Sequence, residues 1–405
     1  MRRLAVLSLH TSPLAQPGQG DGGGMNVYVR ELAAAMARQR LHVDVYTRAD
    51  DPDLPAVVYV EPGFVVHHIA AGPLGPMAKE ELPGVVDEFV DGVSTRLSGD
   101  HPADALHANY WLSGVAGHEL KHRFDIPLGC TFHTLARVKG EAGVVDATDT
   151  DDRTRAEMAV IGCSDSVLAS CDEEADQLVR LYGADPERVA IIPPGVDRAY
   201  FSPGSQAGAR RAIGAEPDAP MLLFVGRIQP LKGLDVAVAT LAAMDRSCRL
   251  VVVGGPSGPD GAGYLARVRA QAAALGVVDR IRWVEPQPHE LLSSYYRAAD
   301  VVLVPSQSES FGLVALEAAA CGTPVVATAV GGLRNLVIDG VTGVLVPRSA
   351  TAFAGAVSAI LGGGRRELMG KAASVHADGF TWGSAGGRMR ALFGDLADRV
   401  PVACS

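Results

Sequence analysis

The chain has 405 residues, 48% of them apolar and 20% charged, with 46 Gly, 25 Pro and a formal net charge of −10. That length calls for two or three domains and supplies apolar material for two cores, which argues against disorder. The acidic balance argues against a protein that coats nucleic acid, since that role needs a basic face. Aromatic residues are only 5%, so the cores are expected from Ala, Val and Leu, the usual filling of buried parallel sheets.

In chain order, short β-rich runs alternate with Ala/Leu helical patterns, and the rhythm occurs twice. The first series of strands reads Leu4–Leu9, His42–Thr47, Phe64–Ile69, Ala105–Ala108, Leu128–Phe132, Val167–Ala169 and Val189–Ile192, with helical stretches such as Val27–Arg38 and Gly84–Leu97 between some of them. The second reads Met221–Val225, Leu250–Val253, Ile281–Val284, Val301–Val304, Val325–Ala327 and Gly343–Val346. Alternation of strand and helix predicts an α/β protein with two doubly wound parallel sheets. The expected domains are 1–198 and 199–380, joined through the Pro- and Gly-bearing stretch at 193–208, with a helical segment at 381–405 whose packing partner is left open.

The opening MRRLAVLSLH has a basic pair but too short an apolar run for a signal-peptide core, and reads as the first strand. The apolar stretch at 311–333 contains Glu317, Pro324 and several glycines, which predicts a buried helix, turn and strand rather than a membrane span. Six cysteines (130, 163, 171, 248, 321, 404) are scattered with no C-x-x-C pair. This is the pattern of a reduced cytoplasmic chain with buried thiols, not of a disulfide or zinc framework.

Three segments carry chemistry. Directly after the first strand comes HTSPLAQPGQGDGGGMNVYVREL. Gly18, Gly20 and Gly23 formally satisfy G-x-G-x-x-G, but about eight residues separate the strand from the glycines and no acidic residue ends strand two, so a dinucleotide site is disfavoured. The glycines do precede a helix, whose free N–H groups favour an anion. In FVGRIQPLKG, Arg227 and Lys232 follow a buried strand, a guanidinium fork and an ammonium suited to a pyrophosphate. In PSQSESFGLVALEAAACGTPVVATAVGG, Glu309 and Glu317 flank the start of a helix, placing two carboxylates against hydroxyl-bearing parts of one ligand while helix N-terminal amides meet its phosphates. A Glu317 on an apolar helix needs a buried partner.

Of the histidines, His10 and His133 each close a first-domain strand, while His67, His68, His118, His122 and His376 read as carrying no chemistry. No metal-ligand spacing is visible, and the D-x-D sequences at 51–53 and 149–151 read as acidic loops.

These segments, in this order, resemble glycosyltransferase family 4, retaining enzymes of the GT-B fold with two facing Rossmann-like domains and a cleft between them. PGVDRAYFSPG, YRAADVVLVPSQSESFGLVALEA and GVTGVLVP extend the resemblance over nearly the whole chain. In the first half, YTRAD, AAGPLGPMAKEELP, NYWLSG and FHTLARVK are similar to the members that glycosylate inositol 3-phosphate in the first step of mycothiol biosynthesis in actinobacteria.

The resemblance implies a UDP-sugar-dependent hexosyltransferase moving N-acetylglucosamine from UDP-GlcNAc to 1D-myo-inositol 3-phosphate. It places the acceptor phosphate against Lys79, Tyr110, Thr134 and Arg153, and the inositol against His10 and the loop from Asp21 to Asn26. Gln16, Pro17 and Gly23 would border the donor. Arg227 and Lys232 would hold its diphosphate, Glu309 its sugar hydroxyls and Glu317 its ribose, with Phe311, Gly312 and Leu313 also donor-binding. His133 would lie beside the transferred sugar. Catalytic roles would fall to Arg227, Lys232, His133 and Glu309.

Gln287 stands where the family has an arginine against the nucleotide, Asn109 replaces a histidine beside Tyr110, and Gly140 replaces an asparagine after Lys139. A one-residue gap leaves Arg155 as the alternative to Arg153. No cofactor is required for catalysis; the family can hold a structural magnesium ion near Tyr296, Arg297, Ala299 and Thr323. The expected partners are small-molecule substrates, with no nucleic acid, no integral membrane segment and a homodimer left open. The alternatives are another acceptor on the same fold, such as an antibiotic aminocyclitol or sugar, a nucleotide-sugar epimerase, and a dinucleotide-dependent oxidoreductase.

Overall fold

The structure is a computed structural model and describes residues 1–18, 22–99, 102–143, 150–258 and 260–404. The chain divides into two units. The first comprises Met1–Ala15, Met25–Pro194 and Trp382–Ser405; the second comprises Gln16–Gly24 and Gly195–Thr381.

The first unit is built on eight strands: β1 (Arg3–Leu7), β2 (His42–Arg48), β3 (Val57–Glu61), β4 (Phe64–Ile69), β5 (Ala105–Asn109), β6 (Leu128–Thr131), β7 (Ser166–Ala169) and β8 (Val189–Ile191). Their order is β3-β4-β2-β1-β5-β6-β7-β8, parallel throughout except for the β3–β4 pair. The second unit has six parallel strands: β9 (Met221–Val225), β10 (Arg249–Val253), β11 (Ile281–Val284), β12 (Val301–Val304), β13 (Val325–Thr328) and β14 (Gly343–Val346). They run in the order β11-β10-β9-β12-β13-β14.

Helices cover both faces of such sheets, so the strands are apolar on both sides. Leu4, Ala5 and Leu7 of β1 and Leu222 and Leu223 of β9 are fully buried. Each such Leu side chain contributes about 1.5–3 kcal/mol when withdrawn from water.

Strand order reverses between β1 and β5 in the first unit and between β9 and β12 in the second. Loops leaving the carboxyl ends of adjacent strands diverge there, which opens a crevice for a ligand. Every chemistry-bearing segment identified in the sequence leaves one of these strands or its neighbour.

Strand β3 breaks the strand–helix rhythm and is missing from the sequence reading. It is a partly exposed antiparallel partner of β4, joined to it through Pro62 and Gly63. The C-terminal helix, Trp382–Ala397, buries Trp382, Met389 and Phe393 in the first unit. There Phe393 lies 5.5 Å from the His107 ring, and Arg390 Nη1 donates to Gln39 O at 2.8 Å.

The six-thiol reading needs a correction, because Cys163 and Cys404 pair as a disulfide while Cys130, Cys171, Cys248 and Cys321 are buried outside any disulfide. The two partners are 241 residues apart, a separation that sequence spacing does not reveal. Among the described residues no helix is long and apolar enough to cross a membrane.

Candidate active site

In the second unit, β9 delivers Arg227 and Lys232, and β12 delivers Glu309. Lys232 Nζ donates to Glu309 Oε2 at 2.7 Å, and Ser306 Oγ donates to the same oxygen at 3.1 Å. Arg227 Nη1 lies 3.4 Å from Ser257 Oγ. The glycine loop reaches the same place, since a Cβ on Gly23 would stand 3.1 Å from Arg227 Nε. Gln16 Nε2 donates to Pro286 O at 3.1 Å, and Pro17 beside it is half-buried. Two cations, one carboxylate and a glycine turn are thereby gathered at one sheet end.

Gly312, at φ +103°, begins the helix Leu313–Ala320, which is capped by no side chain and follows the buried Phe311. The turn that carries Glu309 is braced by Gly331 and Gly332, a pair assigned no role in the sequence reading. Gly332 N donates to Glu309 O at 3.0 Å. A Cβ on Gly331 would lie 2.0 Å from Glu309 O, and one on Gly332 would lie 2.3 Å from Ser310 O.

Glu317 is 5% exposed and has the buried partners its position demands: Tyr296 OH donates to Oε2 at 2.7 Å, and His289 Nε2 lies 2.7 Å from Oε1. Burial, with the Glu317 carboxylate second, pushes the Tyr296 hydroxyl well above its ordinary range, so it stays a donor. Sequence reasoning demanded a partner for Glu317 and did not find His289, which sits 28 residues upstream. Gln287 turns back on its own loop, donating to Glu285 O at 2.9 Å.

Of the four residues of the suggested magnesium site, two offer carbonyl oxygens that already accept one protein donor each. Tyr296 O accepts from Thr323 Oγ1 at 2.6 Å, Ala299 O accepts from Gln206 Nε2 at 3.2 Å, and Arg297 brings a guanidinium onto Ser202 O at 2.6 Å. The set holds no carboxylate, the ligand a hard dication prefers. Each carbonyl keeps a second lone pair, so an ion held there would be structural, and it plays no part in the reaction.

In the first unit, Tyr110 and His133 follow β5 and β6 with φ +76° and +61°. Positive φ is uncommon outside glycine, less so for His than for the bulky Tyr110, and strain of about 1–3 kcal/mol concentrates at sites that need a fixed side chain. His10, after β1, packs its ring 4.3 Å from that of Tyr110. His133 Nε2 lies 2.9 Å from Asn109 Oδ1, and its ring meets the edge of Tyr28 at 4.8 Å. Burial lowers His133 to about 3, so the imidazole is neutral at physiological pH.

Arg153 is fully buried. Its Nε donates to Glu157 Oε1 at 2.8 Å, Nη1 to Tyr110 OH at 3.3 Å and Nη2 to Thr134 O at 3.0 Å. Arg155 is exposed and pairs with Asp152, so of the two arginines only Arg153 joins Tyr110 and Thr134. Glu157, which sequence reasoning missed, lies one helical turn beyond Arg153.

Asn26 is 2% exposed and donates to Thr11 Oγ1 and Ser12 O, both at 2.6 Å, bracing the loop after β1. Lys79 is half-buried on the segment that leaves β4. Arg48, at the end of β2, steadies that segment by donating to Ala71 O at 2.9 Å and Gly75 O at 2.8 Å. Asp21 and Gly20 lie outside the described residues, as does Asp149 of the second D-x-D sequence.

Residues 206–375 match the family model for glycosyl transferases group 1, and residues 23–195 match the glycosyl transferase 4-like domain. The D-inositol 3-phosphate glycosyltransferase of Actinosynnema mirum is 49% identical over 415 residues, covering 98% of each chain. The chain belongs to glycosyltransferase family 4.

A second relative in this family, the D-inositol 3-phosphate glycosyltransferase of Kribbella flavida, is 49% identical over 94% of this chain and 93% of its own. Among solved structures, sucrose-phosphate synthase from Thermosynechococcus elongatus is 35% identical, with a TM-score of 0.92 over 98% of this chain and 99% of that one. Anabaena HepE, solved with UDP and glucose, shares the fold with a TM-score of 0.78 at 19% identity, over 98% of this chain and 100% of that one. The protein is therefore a glycosyltransferase of the GT-B fold.

Proposed function

We propose that this enzyme transfers N-acetylglucosamine from UDP-GlcNAc to a hydroxyl of 1D-myo-inositol 3-phosphate with retention of anomeric configuration, releasing UDP. The observation that carries this reading is the convergence of Arg153, Tyr110 and Thr134 after β5 and β6, a cationic and hydroxyl-bearing cluster of the kind that holds a phosphate. The names of the relatives supply the phosphorylated acceptor.

On the donor side, Arg227 and Lys232 meet the diphosphate. Negative charge grows there as the bond from the anomeric carbon to the diphosphate oxygen breaks, so these cations stabilise the transition state more than the ground state. The acceptor oxygen bonds to the face that the diphosphate leaves, and its proton passes to a departing phosphate oxygen, so no protein base is needed. A neutral His133 beside the sugar adds no positive charge to an oxocarbenium-like centre. Glu309 accepts sugar hydroxyls while Lys232 holds it. Glu317, already held by Tyr296 and His289, keeps lone pairs for the ribose, since a carboxylate offers about four.

The likeness to sucrose-phosphate synthase favours a second reading, another phosphorylated sugar as acceptor. One experiment separates these readings. Purified enzyme receives UDP-GlcNAc with inositol 3-phosphate, unphosphorylated myo-inositol, a hexose phosphate, or no acceptor, and UDP and glycoside are measured. Glycoside from inositol 3-phosphate alone, of unchanged anomeric configuration, is expected. Equal rates with unphosphorylated inositol would overturn the phosphate reading, and consumption of donor without acceptor would indicate an epimerase.

A further inference from the structure

Away from the candidate active site, the first unit gathers four potential metal ligands at one point. His118 and His122 lie one turn apart on the helix Trp111–Phe124, a spacing that sets both imidazoles on one face. Cys163 ends the helix Asp151–Cys163, and the chain's last residues return to it. Asp165 directs that return: its Oδ1 accepts from Val402 N at 2.6 Å, while its Oδ2 accepts from Lys121 Nζ and Leu128 N, both at 2.8 Å. Lys121 Nζ also donates to Cys163 O at 2.7 Å.

This clamp brings Cys404 onto the histidines. His122 Nε2 lies 2.9 Å from Cys404 Sγ and 3.4 Å from Cys163 Sγ, and the four ligand atoms all fall within 4.8 Å of one another. A disulfide uses only the two sulfurs and gives no reason for two imidazoles beside them. A tetrahedral zinc ion, with bonds of about 2.3 Å to sulfur and 2.0–2.1 Å to nitrogen, calls for ligand separations of about 3.3–3.8 Å. The cluster is close to that spacing.

We propose that, once a low-molecular-weight thiol reduces the Cys163–Cys404 bond, His118, His122, Cys163 and Cys404 bind one Zn2+ and fasten the C-terminal segment to the first unit. In the reduction the S–S bond takes two electrons and two protons, and the reductant becomes its own disulfide. On binding, the two thiols release their protons and the imidazoles enter neutral, so the filled site carries no net charge. Two sulfur and two nitrogen ligands select zinc over magnesium or calcium, and four protein ligands leave no open position for catalysis. The histidines stand about 12–18 Å along their helix from Tyr110, which makes the site structural. Spacing in the sequence hides it because the ligands come from three elements.

The test uses the full chain, reduced with a thiol, freed of metal and titrated with Co2+. Expected is one Co2+ per chain with thiolate-to-cobalt charge-transfer absorption and tetrahedral visible bands, displaced by one equivalent of Zn2+. The double variant His118→Ala/His122→Ala keeps both thiols and is expected to close the disulfide on oxidation yet lose stoichiometric cobalt binding. Zn2+ is further expected to protect the C-terminal segment of the reduced wild-type chain from proteolysis. No cobalt spectrum in the reduced wild type would overturn the proposal, as would the same spectrum and affinity in the double histidine variant.

Discussion

Lys232 Nζ and Glu309 Oε2 are 2.7 Å apart although 77 residues separate them in sequence. They leave β9 and β12, the two strands that flank the order reversal of the second sheet. The pair joins the cation assigned to the departing diphosphate with the carboxylate assigned to the sugar. Lys232→Ala is expected to lower kcat by about a hundredfold or more, because its charge acts where charge develops. Steady-state kinetics on the purified variant check this; near-normal turnover would remove Lys232 from that role.

Arg153 and Arg155 sit two residues apart and differ completely in surroundings. Arg153→Met leaves Glu157 buried without its ion-pair partner, which is expected to cost about 3–5 kcal/mol. Arg155→Ala breaks only an exposed pair with Asp152 and is expected to change stability by less than about 1 kcal/mol. Urea unfolding of both variants measures the difference, and equal midpoints would contradict the buried assignment.

Gly331 faces the carbonyl of Glu309 with no room for a side chain. Gly331→Ala is expected to push the Glu309 turn aside and reduce kcat/KM by about a hundredfold, the usual effect of misplacing a binding group by about 1 Å. Competition binding of UDP alone separates a displaced sugar contact from general unfolding: UDP affinity should change far less than kcat/KM.

His107 and His133 are both depressed to about 3, the first by burial and then by the neighbouring His133, the second by burial. Unfolded histidine titrates near 6.5, so below that pH the unfolded chain binds protons that the folded chain refuses. Stability is therefore full above about pH 6.5 and falls as pH drops toward 3, by about 2 kcal/mol per histidine between pH 7 and pH 5. Thermal midpoints across that range check the slope. His107→Asn should shallow it, and a wild-type midpoint independent of pH would refute it.

The sequence by itself determined the two parallel sheets, because apolar strand runs alternating with helical patterns have few other solutions. It also marked Arg227, Lys232, Glu309 and Glu317, since charged residues following or entering buried apolar elements stand out along the chain. Only the tertiary structure decided which groups meet. It found His289 for Glu317, Glu157 for Arg153, Arg48 for the segment bearing Lys79, and Cys404 for Cys163 with His118 and His122. These partners lie on different elements, and sheet order and helix packing, not spacing along the chain, set their distances. Strand β3 escaped notice for a related reason: it is partly exposed and is held by its pairing with β4. Periodicity reports burial, and a residue's partner is a property of the fold.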